Sequence, residues 1–137
     1  MSDHQIQKQL VENYSNILKE WSFPDKIKQD EVFHHYLIYL AIKMVFHQSK
    51  NQEIVTPPPK IDMLWHSHLA YTKNYAQFNI WCAGRFPGFS YLHHHPDEVS
   101  LNKEEILEYI PSNMSHQLNG VWDFHKKPLV ISHSGCG

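Results

Sequence analysis

The stretch EVFHHYLIYLAIKMVF, residues 31–46, decides the fold, because its apolar side chains cover most of the circumference of a helix. A helix with so little polar surface belongs in the interior, so we predict that it is the central, most buried element. The pattern extends over residues 25–50, and we predict one helix across that range. Its apolar positions are Val32, Phe33, Tyr36, Leu37, Leu40, Ala41, Met44 and Val45.

Helical patterns also flank this element on both sides. Residues 4–21 place apolar side chains at three- and four-residue steps, which predicts a first helix, and residues 61–83 predict a third. The sequence NQEIVTPPPK at residues 51–60 predicts an extended connector, because its three prolines lack amide donors and fix their own φ angles. The motif-bearing helix therefore follows the central one after a proline-rich link.

The C-terminal third is more irregular. Gly and Pro punctuate GRFPGFSYLHHHPDE at residues 84–98, which predicts an irregular His-rich loop. SLNKEEILEYI then resembles a capping box with Ser100 as the cap, and SNMSHQLNGVW predicts a last short helix. We predict an all-α fold: one compact domain of four to five helices over residues 1–126, with a motif core at 30–96 and a flexible tail at 127–137.

Composition narrows the class of protein. The 137-residue chain carries a formal net charge of −2, so it lacks the basic field expected of a nucleic-acid binder. We expect no membrane span, since the longest apolar run is broken by Lys43, and no signal peptide, since the N-terminus lacks an apolar segment. Two cysteines fit a reducing compartment, so we expect a cytoplasmic protein. The unusual count is 12 histidines.

The sequence LWHSHL places two of these histidines within the third predicted helix. His66 and His68 point about 200° apart on a regular helix, so they cannot bind one ion together. Asp62 and His66 are four residues apart and share a face. Asp62 also lies in the first turn, where a carboxylate is favourable whatever its function. His68 and Cys82 would lie roughly 21 Å apart along an unbroken helix, so Cys82 needs ligands from elsewhere in the chain.

The HHH triplet before Pro96 is the obvious source of further metal ligands. In an extended segment His93 and His95 point one way and His94 points the other, which makes His93 and His95 a two-histidine pair for zinc or copper. The pair needs Asp62, His66, His68 or Cys82 opposite it, and we take these six residues as candidate metal ligands. The alternative is a solvated loop with a chance cluster of histidines.

Purely structural roles compete with the metal hypothesis. A lone histidine on an apolar helix face is often a hydrogen-bonded core residue, and a thiol at the end of an apolar stripe is often inert, which applies to His68 and Cys82. For Trp65, Tyr71 and Tyr75 we expect core packing.

The residues just described resemble the glycine-rich domain-containing protein-like family. The resemblance covers roughly residues 30–96, from the helix before the motif to the His-rich exit. It departs from the family in a late Cys82 and in the absence of a long Gly-rich extension, of which only SGCG is left. The resemblance implies a helical intracellular domain and no particular chemistry. The matching positions are Pro57 to Pro59, Asp62, Trp65, His66, His68, Tyr75, Cys82, Gly84 and His93 to His95.

Three functions remain open at this level. The leading hypothesis is a His-rich binding or regulatory module that holds a transition-metal ion, with Zn²⁺ as the first choice. The first alternative is a metal-dependent hydrolase, with Asp62 and His66 as candidate catalytic residues and Asp62 or Glu98 as the base. The second is a structural interaction domain. A protein or a small molecule is the expected partner, and the sequence does not choose between them.

Overall fold

The computed structural model describes residues 1–50, 57–86, 88–89, 91–94, 103–117 and 120–124, and the regular structure there is entirely helical. The all-α prediction is therefore confirmed, with four helices longer than seven residues. The helices are α1 (Asp3–Leu18), α2 (Asp25–Lys28), α3 (Phe33–Lys50), α4 (Pro59–Ala70), α5 (Thr72–Arg85) and α6 (Lys103–Glu108), followed by a 3₁₀ helix (Ser112–Gln117).

Helix α3 forms the centre of the molecule, as its sequence predicts. Every residue from Tyr36 to Phe46 is buried, so the helix is covered on all sides. Helices α1 and α4 both pack against α3. Even Lys43 is only 5 % exposed, and its ammonium group lies 5.5 Å from the centre of the Trp65 ring, a cation–π contact.

The prediction of one helix over residues 25–50 is wrong in its first turns. The chain forms the short α2, leaves the helix at residues 29–32 and starts again at Phe33. Asp30 explains the interruption, because its carboxylate accepts a hydrogen bond from the amide of Val32 at 2.9 Å. This side-chain bond gives the backbone a turn as an alternative to the helix.

The prediction of one helix over residues 61–83 is also wrong. Helix α4 ends at Ala70, and Tyr71, with φ −86° and ψ 68°, separates it from α5. The break permits a hydrogen bond of 2.9 Å from Trp65 Nε1 to the hydroxyl of Tyr75. In a straight helix these residues would stand about 15 Å apart along the axis, too far for that bond.

The C-terminal part of the described chain packs against the same core. Ile106, Tyr109 and Ile110 from α6 and the turn after it are buried. Trp122 donates a hydrogen bond of 2.9 Å to Nδ1 of His35, which ties the last described segment to α3. The predicted last short helix is present as the 3₁₀ helix.

Several predictions fall outside the described residues. These are the Ser100 cap, most of the proline-rich connector, His95, Glu98 and the tail at 127–137. Pro58 and Pro59 are described, and they begin α4, where a proline at the first helical position loses no hydrogen bond. Among the helices of the described ranges, none combines the length and the apolar character that crossing a membrane requires.

Candidate metal site

Helix α4 positions two of the candidate ligands. Asp62 and His66 are one turn apart, and His66 Nε2 lies 3.3 Å from Asp62 Oδ2. The Asp62 side chain is 15 % exposed and the His66 side chain 27 %, so the pair is shielded without being sealed from water. Spacing by four residues predicted this pair from the sequence.

The loop after α5 supplies a third group to the same carboxylate. His94 Nε2 lies 2.5 Å from the other oxygen of Asp62, Oδ1, and its side chain is only 5 % exposed. The His94 and His66 rings meet edge to face with their centres 4.6 Å apart. One carboxylate thus bridges two imidazoles that come from different segments of the chain.

The three groups meet the basic requirements of a metal site. One ligand atom from each of Asp62, His66 and His94 can be chosen so that all lie within 4.8 Å of one another. Bonds of about 2.0–2.1 Å to zinc at tetrahedral angles place neighbouring ligand atoms about 3.3 Å apart. The 3.3 Å between His66 Nε2 and Asp62 Oδ2 matches this value, whereas the 2.5 Å between His94 Nε2 and Asp62 Oδ1 is about 0.8 Å shorter.

At neutral pH, His66 is mainly in the neutral form that can bind a metal. Burial lowers the pKa of its imidazole below the usual 6.5, and the neighbouring His94 lowers it further, whereas the charge of Asp62 acts in the opposite direction. The lowered pKa means that His66 is mainly neutral at pH 7. A neutral imidazole has a lone pair to offer a metal.

The second ring nitrogen of His94, Nδ1, bears on metal binding as well. Its Nε2–H donates to Asp62, which leaves Nδ1 as a buried acceptor with no hydrogen-bond partner among the described residues. A metal at Nε2 would move the proton to Nδ1, where ligating histidines usually donate to a carbonyl or carboxylate. Among the described residues no such acceptor faces Nδ1, and a buried N–H left without one costs about 1–3 kcal/mol.

His68 lies in the core, away from this cluster. Its ring is fully buried, with Tyr36 Oη 2.8 Å from Nδ1 and Asn74 Oδ1 2.9 Å from Nε2. Because the amide oxygen of Asn74 only accepts, Nε2 carries the proton and Nδ1 accepts from the hydroxyl of Tyr36. Burial lowers the pKa of His68 to about 4, so it stays neutral with both nitrogens engaged. The structural reading of His68 fits this environment better than the ligand reading.

Cys82 is likewise a core residue. It is fully buried as a free thiol, and burial raises its pKa to about 12. It is not part of the metal cluster found among the described residues. Of the three aromatic residues expected in the core, Trp65 and Tyr75 are buried, but Tyr71 is 39 % exposed. The expectation for Tyr71 is wrong because the residue occupies the break between α4 and α5.

The triplet contributes a different histidine from the pair that alternation singled out. His94 faces Asp62, whereas His93 is exposed and its ring lies against Tyr91, with centres 5.1 Å apart. His95 lies outside the described residues. His94 and His93 face different surroundings, as alternation predicts, but alternation gives no sign of which side faces α4.

We compared the chain with protein-family models, with curated proteins and with solved structures. No protein-family model matches the sequence, and neither a curated protein nor a solved structure matches it. The resemblance to the glycine-rich domain-containing protein-like family therefore stays a prediction, and the function has to be argued from the site.

Proposed function

We propose that this protein is a metal-binding module that holds one transition-metal ion, Zn²⁺ in first place, between Asp62, His66 and His94. The observation that carries the proposal is the convergence of these three ligand groups within 4.8 Å, from a helix and from a loop 28 residues further along the chain. Membership of the glycine-rich domain-containing protein-like family and a cytoplasmic location remain part of the proposal, and the free thiol of Cys82 fits a reducing compartment.

The donor set favours zinc and its neighbours over magnesium or calcium. Imidazole nitrogens suit Zn, Cu, Fe and Ni, whereas Mg²⁺ and Ca²⁺ prefer shells made of oxygen. Two imidazoles and one carboxylate leave at least one coordination position for water or an external ligand. A position of this kind lets the bound metal contact a partner, as a binding or regulatory module requires.

A binding role has better support than hydrolysis. A hydrolase needs a carboxylate base in addition to the metal ligands. Asp62 is the only carboxylate in the cluster found among the described residues, and both of its oxygens already face imidazoles. Asp62 therefore cannot serve as ligand and as free base at once. Glu98, the other candidate base, lies outside the described residues.

Zinc titration of the purified, chelator-treated protein tests the proposal. We expect one tightly bound Zn²⁺ per chain by calorimetry and by elemental analysis. Asp62→Asn, His66→Ala and His94→Ala should each weaken binding by more than about 100-fold, since loss of a residue that only supports a ligand typically costs 10–100-fold. The affinity should fall as the pH is lowered through the pKa of His66, which burial places below the usual 6.5, because only the neutral imidazole binds metal.

His93→Ala is the matched control, since it removes an imidazole from the adjacent position of the same loop. The control should bind zinc like the wild type because the His93 side chain is exposed and is not part of the cluster. Wild-type protein without bound metal, or equal affinities for His94→Ala and His93→Ala, would refute the proposed site.

A further inference from the structure

The loop that carries His94 is held by the backbone of Leu92. The amide of Leu92 donates to Asn79 Oδ1 at 2.8 Å, and its carbonyl accepts from the hydroxyl of Tyr75 at 2.5 Å. Both α5 side chains are buried, with exposures of 2 %. Because both polar groups of one peptide residue are engaged by one helix, the direction of the chain at Leu92 is fixed relative to α5.

The two α5 side chains are themselves held in place. Nδ2 of Asn79 donates to the carbonyl of Tyr75 at 2.9 Å, which orients its oxygen towards Leu92. The hydroxyl of Tyr75 accepts a bond of 2.9 Å from Trp65 Nε1, so its own proton is directed to the Leu92 carbonyl. Trp65 precedes His66 directly, and its ring lies edge to face with His94 at 4.7 Å. A continuous set of hydrogen bonds thus joins the helix bearing Asp62 and His66 to the loop bearing His94.

From this arrangement we propose that Tyr75 and Asn79 are positioning residues for the metal site, because they set the place of His94 through Leu92. The inference rests on the proposed metal-binding function. His94 is two residues beyond Leu92, and two residues of chain span at most about 7 Å. A fixed Leu92 therefore restricts the volume that the imidazole can explore and raises its effective concentration at Asp62 and His66.

The size of the effect follows from the other contacts of the loop. The Leu92 side chain is only 3 % exposed, so core packing retains part of the restraint when a hydrogen bond is lost. We therefore expect Tyr75→Phe and Asn79→Ala to weaken zinc binding about tenfold each, at the lower end of the range for residues that support metal ligands. His94→Ala removes the ligand itself and should have the larger effect.

A double-mutant cycle separates positioning from general damage. Zinc affinity is measured for wild type, Tyr75→Phe, His94→Ala and the double variant, under conditions in which circular dichroism shows each to be folded. Because Tyr75 acts through His94, its substitution should weaken binding about tenfold in the wild type and leave the affinity of His94→Ala unchanged. Equal losses in both backgrounds would overturn the inference.

Tyr36→Phe is the matched control. It also deletes a fully buried tyrosine hydroxyl, but that group bonds to His68 and not to the loop. We expect this variant to lose stability and keep its zinc affinity. If binding to His94→Ala is too weak to measure, imidazole NMR of the metal-free protein replaces the cycle. Tyr75→Phe should then alter the His94 signals and Tyr36→Phe should not, and unchanged His94 signals in Tyr75→Phe would overturn the inference.

The outcomes also separate this inference from the proposed function. A wild-type protein that binds no zinc overturns both. A chain in which His94→Ala weakens binding and Tyr75→Phe does not leaves the metal site intact and overturns the positioning role alone.

Discussion

His68 should make this protein sensitive to acid, and the variant that tests it is His68→Gln. The histidine is neutral in the folded protein, where both ring nitrogens are hydrogen-bonded and where Phe23, Phe78 and Tyr75 surround the ring. Protonation would place a charge in this apolar pocket. The unfolded chain exposes the same imidazole to water, so it takes up the proton at an ordinary pKa of about 6.5.

The difference between the two states gives the size of the effect. The pKa of His68 is lowered to about 4 in the folded protein, so the unfolded state binds more protons between pH 6.5 and pH 4. Stability from this residue is therefore complete above pH 6.5, falls as the pH is lowered and is lost below about pH 4. A difference of two and a half pKa units corresponds to roughly 3 kcal/mol of unfolding free energy.

Urea unfolding at pH 7 and at pH 4.5, in the presence of a chelator, provides the assay. His68→Gln should be less stable than the wild type at pH 7, because it disturbs buried hydrogen bonds. Its loss of unfolding free energy between the two pH values should be smaller than that of the wild type by about 2.5 kcal/mol, since glutamine does not titrate. His34→Gln is the control, because it removes an exposed histidine. If His68→Gln and wild type lose the same stability on acidification, His68 is not the buried neutral group described above.

Two further predictions concern the core and the loop. In a Cys136→Ser background, Cys82 should react with a thiol reagent only as fast as the protein unfolds, because the thiol is fully buried and burial raises its pKa to about 12; rapid labelling of the native protein would contradict this. Gly88→Ala should lower the unfolding free energy by about 1 kcal/mol, measured with urea, because the residue has a φ of 74° while the added methyl group meets nothing within 4 Å. An unchanged stability would show that this turn relaxes without strain.

Burial of the central helix was predictable because it depends on local composition. Apolar side chains face every side of α3. Exposing any side of such a helix to water would cost free energy, so it must be buried. The two interruptions were not predictable in the same way. The break at Tyr71 has no proline or glycine to announce it. It coincides with contacts between residues of α4 and α5, such as the bond from Trp65 to Tyr75.

In the candidate site, too, the features that depend on local spacing were predictable and those that depend on distant contacts were not. The pairing of Asp62 with His66 follows from helical spacing, and so does the separation of His66 from His68. The role of His94 does not, because alternation within HHH cannot say which side of the loop faces α4. The role of Asn79 could not be predicted either, since an asparagine inside a helix gives no local sign of a hydrogen bond to a loop 13 residues away.

The sequence by itself determined that the described part of the chain is helical, that the apolar helix α3 lies at its centre and that Asp62 and His66 form a pair. Each of these depends on the periodicity of neighbouring residues, which the helix converts directly into geometry. Only the tertiary structure decided that His68 is a neutral core residue and that His94 completes the cluster with Asp62. Those outcomes depend on contacts between segments far apart in the chain, such as Tyr36 with His68, and no local period encodes them.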